Sequence, residues 1–223
     1  MRPPLGMIVS LASEARTLLG PGRWQRNGQF MVRRLCLPDD TLMIAVRAGV
    51  GIDNARAAAR WLISRGVSGL INAGVASGLC TGLRPGHLII AEAVIQQDEQ
   101  ALSGPWKPAA KPLERCRTLF GAEGLSALCG TIVSSSKAVL TIEDKTRLFN
   151  ESRAVAADME SAAVARAAHE AGVPFFIFRA VCDPSEQIVA PEFFNALGPD
   201  GRIRLVPLVS GLACRPAMIV DTV

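Results

Sequence analysis

Histidine is nearly missing from this chain of 223 residues: His87 and His169 are the only two, and they stand far apart. Neither a zinc site nor a Ser-His-Asp triad has support from such a pair, and no metal is expected. His169, near the end of its predicted helix, reads as a solvated or dipole-facing residue rather than a catalyst. The six cysteines (Cys36, Cys80, Cys116, Cys129, Cys182, Cys214) never form a CxxC pair. Most sit in apolar runs, where a free thiol behaves as a small hydrophobe, and a reducing cytosol fits them. Basic residues never cluster either. The net charge is +4, with arginines scattered among acids, so nucleic acid is a weak candidate partner. No stretch runs about 20 apolar residues without interruption. The opening MRPPLGMIVSLASEAR is broken by Ser10 and Ser13 and lacks a signal-like apolar region, so a soluble cytoplasmic protein without stable membrane insertion is expected. GxxxxGK is absent, and GVGID matches only the start of a dinucleotide fingerprint whose third glycine is replaced by Asn54. A nicotinamide-dependent oxidoreductase rests on that fragment alone, and no cofactor is expected.

What is present is a βα rhythm. Strand-length apolar runs at 7–12, 30–37, 41–48, 68–74, 87–95, 130–135, 154–158 and 175–182 alternate with helical patterns at 53–65, 111–123, 141–150 and 160–171. With 49% hydrophobic residues, the chain can bury one sizeable core, and a single domain over 1–223 is expected. The fold class is α/β: a three-layer sandwich with a twisted, mixed, mainly parallel central sheet flanked by helices. The second and third strands, joined at PDD, form a hairpin. SGPWKPAAKP (103–112) is the longest loop candidate, with Pro105, Pro108 and Pro112 opposing regular structure.

Conspicuous residues fall where strands end. Glu14 follows the first, AGVG (48–51) the third, NAGVASG (72–78) the fourth, Ser134–Ser136 a later one, Asp158 and Glu160 the next, and Asp183 the last. In open α/β sheets the crevice beyond the carboxyl ends of the strands binds ligands, so these positions make one candidate rim. Each has a bland alternative. Asp158 caps the helix after it and Glu160 sits on the positive end of that helix dipole. Asp183 caps a turn at DPS. Gly74 and Gly78 either serve a tight turn or let the backbone approach a ligand closely. Arg179, inside the last strand, forms a structural ion pair with one of the acids.

The segments LASEARTLL, LINAGVASGLCTGLRPGHLIIAEAV and VAADMESAAVARAAHEAGVPFFIFRAVCD resemble the nucleoside phosphorylase superfamily, specifically its adenosine-type nucleosidases. The match runs in order over about 7–183, with MES and RAVCD its most specific parts. CDPSEQIVAPEFFNALGPDGRIR and a later RP resemble the hopanoid-associated phosphorylases, which are implicated in removing adenine from adenosylhopane. The resemblance implies cleavage of an N-glycosidic bond through an oxocarbenium-like ribosyl group, which needs a proton for the departing base, a hold on the sugar and a nucleophile at C1′. By resemblance Asp183 is the acid for purine N7, kept protonated by its apolar surroundings. Glu160 accepts the ribose hydroxyls, Met159 packs on the sugar, and Glu14 orients or deprotonates the attacking water. Asp158 is then the structural acid and Glu160 the functional one.

Two departures accompany the resemblance. In the glycine turn Val75 replaces the serine of the nucleosidases, and the arginine that phosphorylases carry shortly before it is absent; Ser77 is the substitute candidate beside Gly74. Hydrolysis is therefore at least as natural as phosphorolysis, with phosphate left as an alternative co-substrate. Val139 stands where the nucleosidases stack an aromatic on adenine, which moves base recognition toward backbone groups near Leu140. The expected partners are a small-molecule nucleoside, lipid-linked if the 5′ group is hopane, and a second copy in a homodimer. An apolar tail would lie near Phe193, Phe194 and Leu197 or WLISRG, or across a subunit boundary, and would require brief visits to the inner membrane surface.

Overall fold

The computed structural model describes residues 2–98 and 101–191. In chain order its elements are β1 (Leu5–Val9), α1 (Ala12–Leu19), β2 (Gln25–Asn27), β3 (Phe30–Cys36), β4 (Leu42–Arg47), α2 (Ile52–Ile63), β5 (Gly69–Gly78), β6 (Leu88–Asp98), β7 (Ala101–Trp106), α3 (Ala110–Ala122), β8 (Ala127–Ser135), α4 (Ile142–Ser152), β9 (Ala156–Asp158), α5 (Ser161–Glu170) and β10 (Phe175–Asp183). All ten strands join one mixed sheet flanked by helices, the expected α/β class. On one side of β5 the order is β1, β4, β3, β2, with β3 and β4 forming the hairpin read at PDD. On the other side the sheet closes: β5 pairs with β10, β10 with β6, β6 with β8, β8 with β9, and β9 returns to β5. No periodicity in the sequence announces that ring, because its closing strand β9 is three residues long.

Closure corrects the idea of a single rim beyond the strand ends. β10 runs parallel to β5, but β9 runs antiparallel to it, with Ala157 level with Ser77. The conspicuous residues therefore meet alongside the Gly74–Ser77 portion of β5 rather than past its end.

Burial follows composition. Ile8, Leu62, Leu70, Ile89, Ile90, Ile132 and Ile177 are fully shielded and carry the hydrophobic drive, about 2 kcal/mol for each large aliphatic side chain. α5 is buried nearly all round, from Ser161 through Ala168 except for Arg166, as expected of an apolar interior helix. Its alanines let it pack closely on the alanine face of α2 (Ala55, Ala58, Ala59). Among the described residues no helix is long and apolar enough to cross a membrane.

Two expectations fail here. The segment 103–112 is not a loop: β7 spans Ala101–Trp106 and α3 begins at Ala110. Among the described residues β7 pairs only with β6, and such an edge strand tolerates Pro105, while Pro112 falls in the first turn of α3, where an amide has no intrahelical partner to lose. The first apolar run is also shorter than its hydrophobicity indicates. β1 stops at Val9, and α1 begins at Ala12 with Glu14 in its first turn.

Candidate active site

Glu14 is seated by backbone. Its Oε2 accepts the amides of Ser10 (2.9 Å) and Leu11 (2.8 Å), the latter as half of a capping box on α1, and its Oε1 accepts the amide of Val75 (2.9 Å). The carboxylate thus bridges the β1–α1 junction to β5. Gly74 makes this possible: a Cβ built there would lie 2.4 Å from Glu14 Oε1. Its φ is ordinary, so a tight turn does not explain the glycine; room for a carboxylate does. Gly78, also within β5, would place a Cβ 3.4 Å from the Asp183 carbonyl, a packing constraint and again not a turn.

Asp183 lies on the neighbouring strand, level with Ser77, whose hydroxyl donates to Oδ1 at 3.0 Å. The Cys182 thiol donates to the same oxygen at 2.8 Å. Oδ2 lies 2.6 Å from Lys145 Nζ in a buried ion pair and takes no hydrogen bond from the described residues. Lys145 is fully buried on α4 and donates its remaining hydrogens to the carbonyls of Pro184 and Gln187, each at 2.7 Å. The expectation that apolar neighbours surround Asp183 is corrected: FFIFRAV alternates along β10, and the carboxyl end of the strand meets polar side chains from β5 and α4 instead. Nor does Asp183 cap the following turn, which is closed by Gln187 N–H to the Pro184 carbonyl.

Glu160 sits 7% exposed between β9 and α5, its Oε1 accepting the Gly51 amide at 2.7 Å and its Oε2 the Met159 amide at 3.3 Å. Burial pushes its carboxyl up to about 7, and the neighbouring Asp158 adds to the rise; Arg179 and the Gly51 amide oppose it, and Glu14 is near enough to raise it further. The amide at the start of α2 is therefore given to an internal carboxylate, which leaves GVGID no pyrophosphate role.

Asp158 behaves as the structural acid. Its Oδ1 accepts the amides of Glu160 and Ser161 (3.2 Å each) and the Ser134 hydroxyl (2.5 Å), and its Oδ2 pairs with Arg179 Nη2 at 2.7 Å. Arg179 also reaches Asn72 and the Ser161 hydroxyl, so the buried pair is fully hydrogen-bonded. The preferred reading of Arg179 as part of a structural ion pair agrees with this geometry.

Val75 is 39% exposed beside Glu14, Ser77 and Met159 are half-buried, and Val139 and Leu140 are half-buried just before α4. Val139 also borders a cavity of about 300 Å³ shared with Ser135, Lys137 and Arg147. The Leu140 carbonyl is already engaged by the Val189 amide at 2.8 Å, which leaves less backbone for a base than expected. Phe193, Phe194 and Leu197 lie outside the described residues. Hydrogen bonds link Glu14, Val75, Ser77 and Asp183 through one stretch of β5, and Glu160 stands within electrostatic reach of Glu14. Sequence reasoning missed Lys145, which reads as one more charge on an exposed helix, and the amide of Gly51.

A family profile described as Phosphorylase superfamily matches residues 20–197. The chain belongs to the phosphorylase superfamily. Among superfamily relatives, the 5′-methylthioadenosine/S-adenosylhomocysteine nucleosidase of Staphylococcus aureus (strain JH9) is 28% identical over 158 residues, 65% of this chain and 69% of that protein. The crystal structure of the Neisseria meningitidis nucleosidase of the same name, in complex with methylthio-immucillin-A, superposes with a TM-score of 0.73 at 25% identity, covering 83% of this chain and 88% of that one. The futalosine hydrolase of Helicobacter pylori shares the fold, with a TM-score of 0.74 at 19% identity over 83% of this chain and 86% of its own.

Proposed function

We propose that this phosphorylase-superfamily protein hydrolyses the N-glycosidic bond of a 5′-modified adenosine and releases adenine. Asp183 protonates N7 as the C1′–N9 bond lengthens, so that the base departs neutral. Glu160 accepts the 2′- and 3′-hydroxyls, for which two carboxylate oxygens suit a vicinal diol, and Met159 covers the sugar. Glu14 orients the water that attacks C1′.

The observation that carries the choice of water over phosphate is the seat of Glu14. The amides of Ser10, Leu11 and Val75 converge as they would on an anion, and a carboxylate of the chain itself fills them. A phosphate would have to displace that carboxylate or share its space. The nucleosidase relatives support the same reaction class. For the 5′ group we favour hopane, on the resemblance of 182–204 to the hopanoid-associated phosphorylases, with a homodimer as the working assembly and contact with the inner membrane surface during substrate capture.

Adenosylhopane and 5′-methylthioadenosine are incubated side by side with the protein, with and without phosphate, and adenine and the sugar product are separated by chromatography. The expected outcome is free adenine and a reducing ribose without need of phosphate, faster from adenosylhopane. Formation of ribose 1-phosphate would replace water by phosphate, and faster cleavage of methylthioadenosine would reassign the 5′ substituent. Light scattering at twice the chain mass is expected for the assembly.

A further inference from the structure

Burying a lysine with no exposed surface is expensive, and placing it in the first turn of a helix sets its charge against the dipole. Lys145 bears both costs. A well-packed apolar side chain would serve the core of α4 at least as well, so stability alone does not account for an ammonium there. Its ammonium is engaged on three sides: it pairs with Asp183 Oδ2 at 2.6 Å and donates hydrogen bonds to the Pro184 and Gln187 carbonyls. The three groups are the last residue of β10 and two residues of the segment that follows it. The Val189 amide ties the same segment to the Leu140 carbonyl, just before α4 begins.

We propose that Lys145 is a positioning residue for purine departure: it fixes the Asp183 carboxyl and supplies the counter-charge to the carboxylate formed when the base leaves. The proposal rests on the reading of Asp183 as the acid. The free site holds Asp183 as the carboxylate of an ion pair, so it takes up a proton from solvent as the nucleoside binds; the C1′–N9 bond then breaks, its electron pair passes to the purine, and that proton moves to N7. Asp183 is left negative, 2.6 Å from an ammonium that keeps all its own hydrogens. A preorganised cation at that distance, in a site shielded from water, stabilises the charge as it develops without any reorganisation. The proton lost by the attacking water then restores Asp183. Because Oδ1 is held by Ser77 and Cys182 while Oδ2 faces Lys145, the carboxyl cannot rotate away from the base.

The test compares two leaving groups. Adenine needs a proton to depart, whereas the nitrophenolate of 4-nitrophenyl β-D-riboside does not. In Lys145→Met, kcat for adenine release from 5′-methylthioadenosine should fall roughly 10²–10³-fold, the loss typical of removing one preorganised stabilising group. Nitrophenolate release should fall by less than about tenfold, since general-acid assistance is what the second substrate does without. Equal losses on both substrates in a folded variant would assign Lys145 to structure alone and overturn the inference. If circular dichroism shows that Lys145→Met does not fold, the comparison moves to Asp183→Asn with and without Lys145→Met, which leaves no negative charge unpaired. Adenine release that is equally slow in the two supports action through Asp183; a further loss in the double variant on both substrates overturns it. Failure of the unsubstituted protein to cleave either riboside would overturn the proposed function along with this inference, a result distinct from equal losses.

Discussion

A methyl group at position 74 would test how much the site depends on one carboxylate. In Gly74→Ala the new Cβ would contest the place of Glu14 Oε1, and Glu14 is the side that gives, being the rotatable end of a side chain. Because the carboxylate yields, folding should lose only about 1–3 kcal/mol, the cost of mild overpacking. Turnover should suffer far more, falling about as far as in Glu14→Gln, because the group proposed to orient the water has left its three amides. Steady-state rates beside thermal melts check both halves: a large rate loss with a small melting shift is expected. Glu160 offers a pH test. Its carboxyl is raised from 4.5 to about 7, chiefly by burial, so the folded protein holds the proton more tightly than the unfolded chain does. The contribution to stability is therefore complete below about pH 4.5 and is lost as pH rises through 7, up to about 3 kcal/mol in all. Glu160→Gln, which cannot ionise, should lack that decline; urea unfolding of both proteins at pH 5 and pH 8 measures it.

At the level of elements, β9 is the shortest piece with the largest topological task, closing the ring between β8 and β5 with three residues. Its two ladders are too short to hold alone. Asp158 reinforces them by joining β9 to Ser134 on β8, to Arg179 on β10 and to the first amides of α5. Asp158→Asn strips the charge from one side of a buried pair and strands Arg179, a change that costs about 3–5 kcal/mol. Equilibrium denaturation should show that loss, together with weakened activity, because Glu160 follows β9 directly. The four longer helices were legible because each joins a periodic apolar face to a stop or start signal, as at Gly172 and Pro174 behind α5. β7 is obscured by a proline that is harmless only at a sheet edge, a fact of three-dimensional placement, whereas α3, expected at 111–123, spans Ala110–Ala122 despite Pro112 in its first turn. Lys145 was hidden for the same kind of reason. TIEDKTRLFN gives a lysine among acids on an amphipathic helix, and nothing local reveals that the residue faces inward toward a strand end 38 positions later. The acids are readable as one group from their places after the strands; their separate roles come only through the family resemblance. The space Gly74 leaves for Glu14 is not legible locally, since that demand comes from a residue 60 positions away.

Taken whole, the molecule gathers its site from the ends of α1, α4 and α5, the start of α2, and the facing strands β5 and β10. A nucleoside bound there would touch segments from most of the described chain and should stabilise all of it at once, by about 2.7 kcal/mol at a hundred times its dissociation constant. The ring and the hairpin side share β5, so a single melting transition should move rather than split. That shift carries a pH signature. A diol donates two hydrogen bonds, and it is the ionised form of Glu160 that accepts them best; the ionised fraction of the free protein grows as pH rises through about 7. Affinity for a non-cleavable adenosine analogue should therefore weaken about tenfold for each pH unit below 7. At fixed ligand concentration the stabilisation at pH 5.5 should be about 2 kcal/mol smaller than at pH 8. An analogue lacking both ribose hydroxyls, melted in parallel, should bind more weakly and show no such pH dependence. If the two analogues change alike with pH, Glu160 is not the group that receives the sugar.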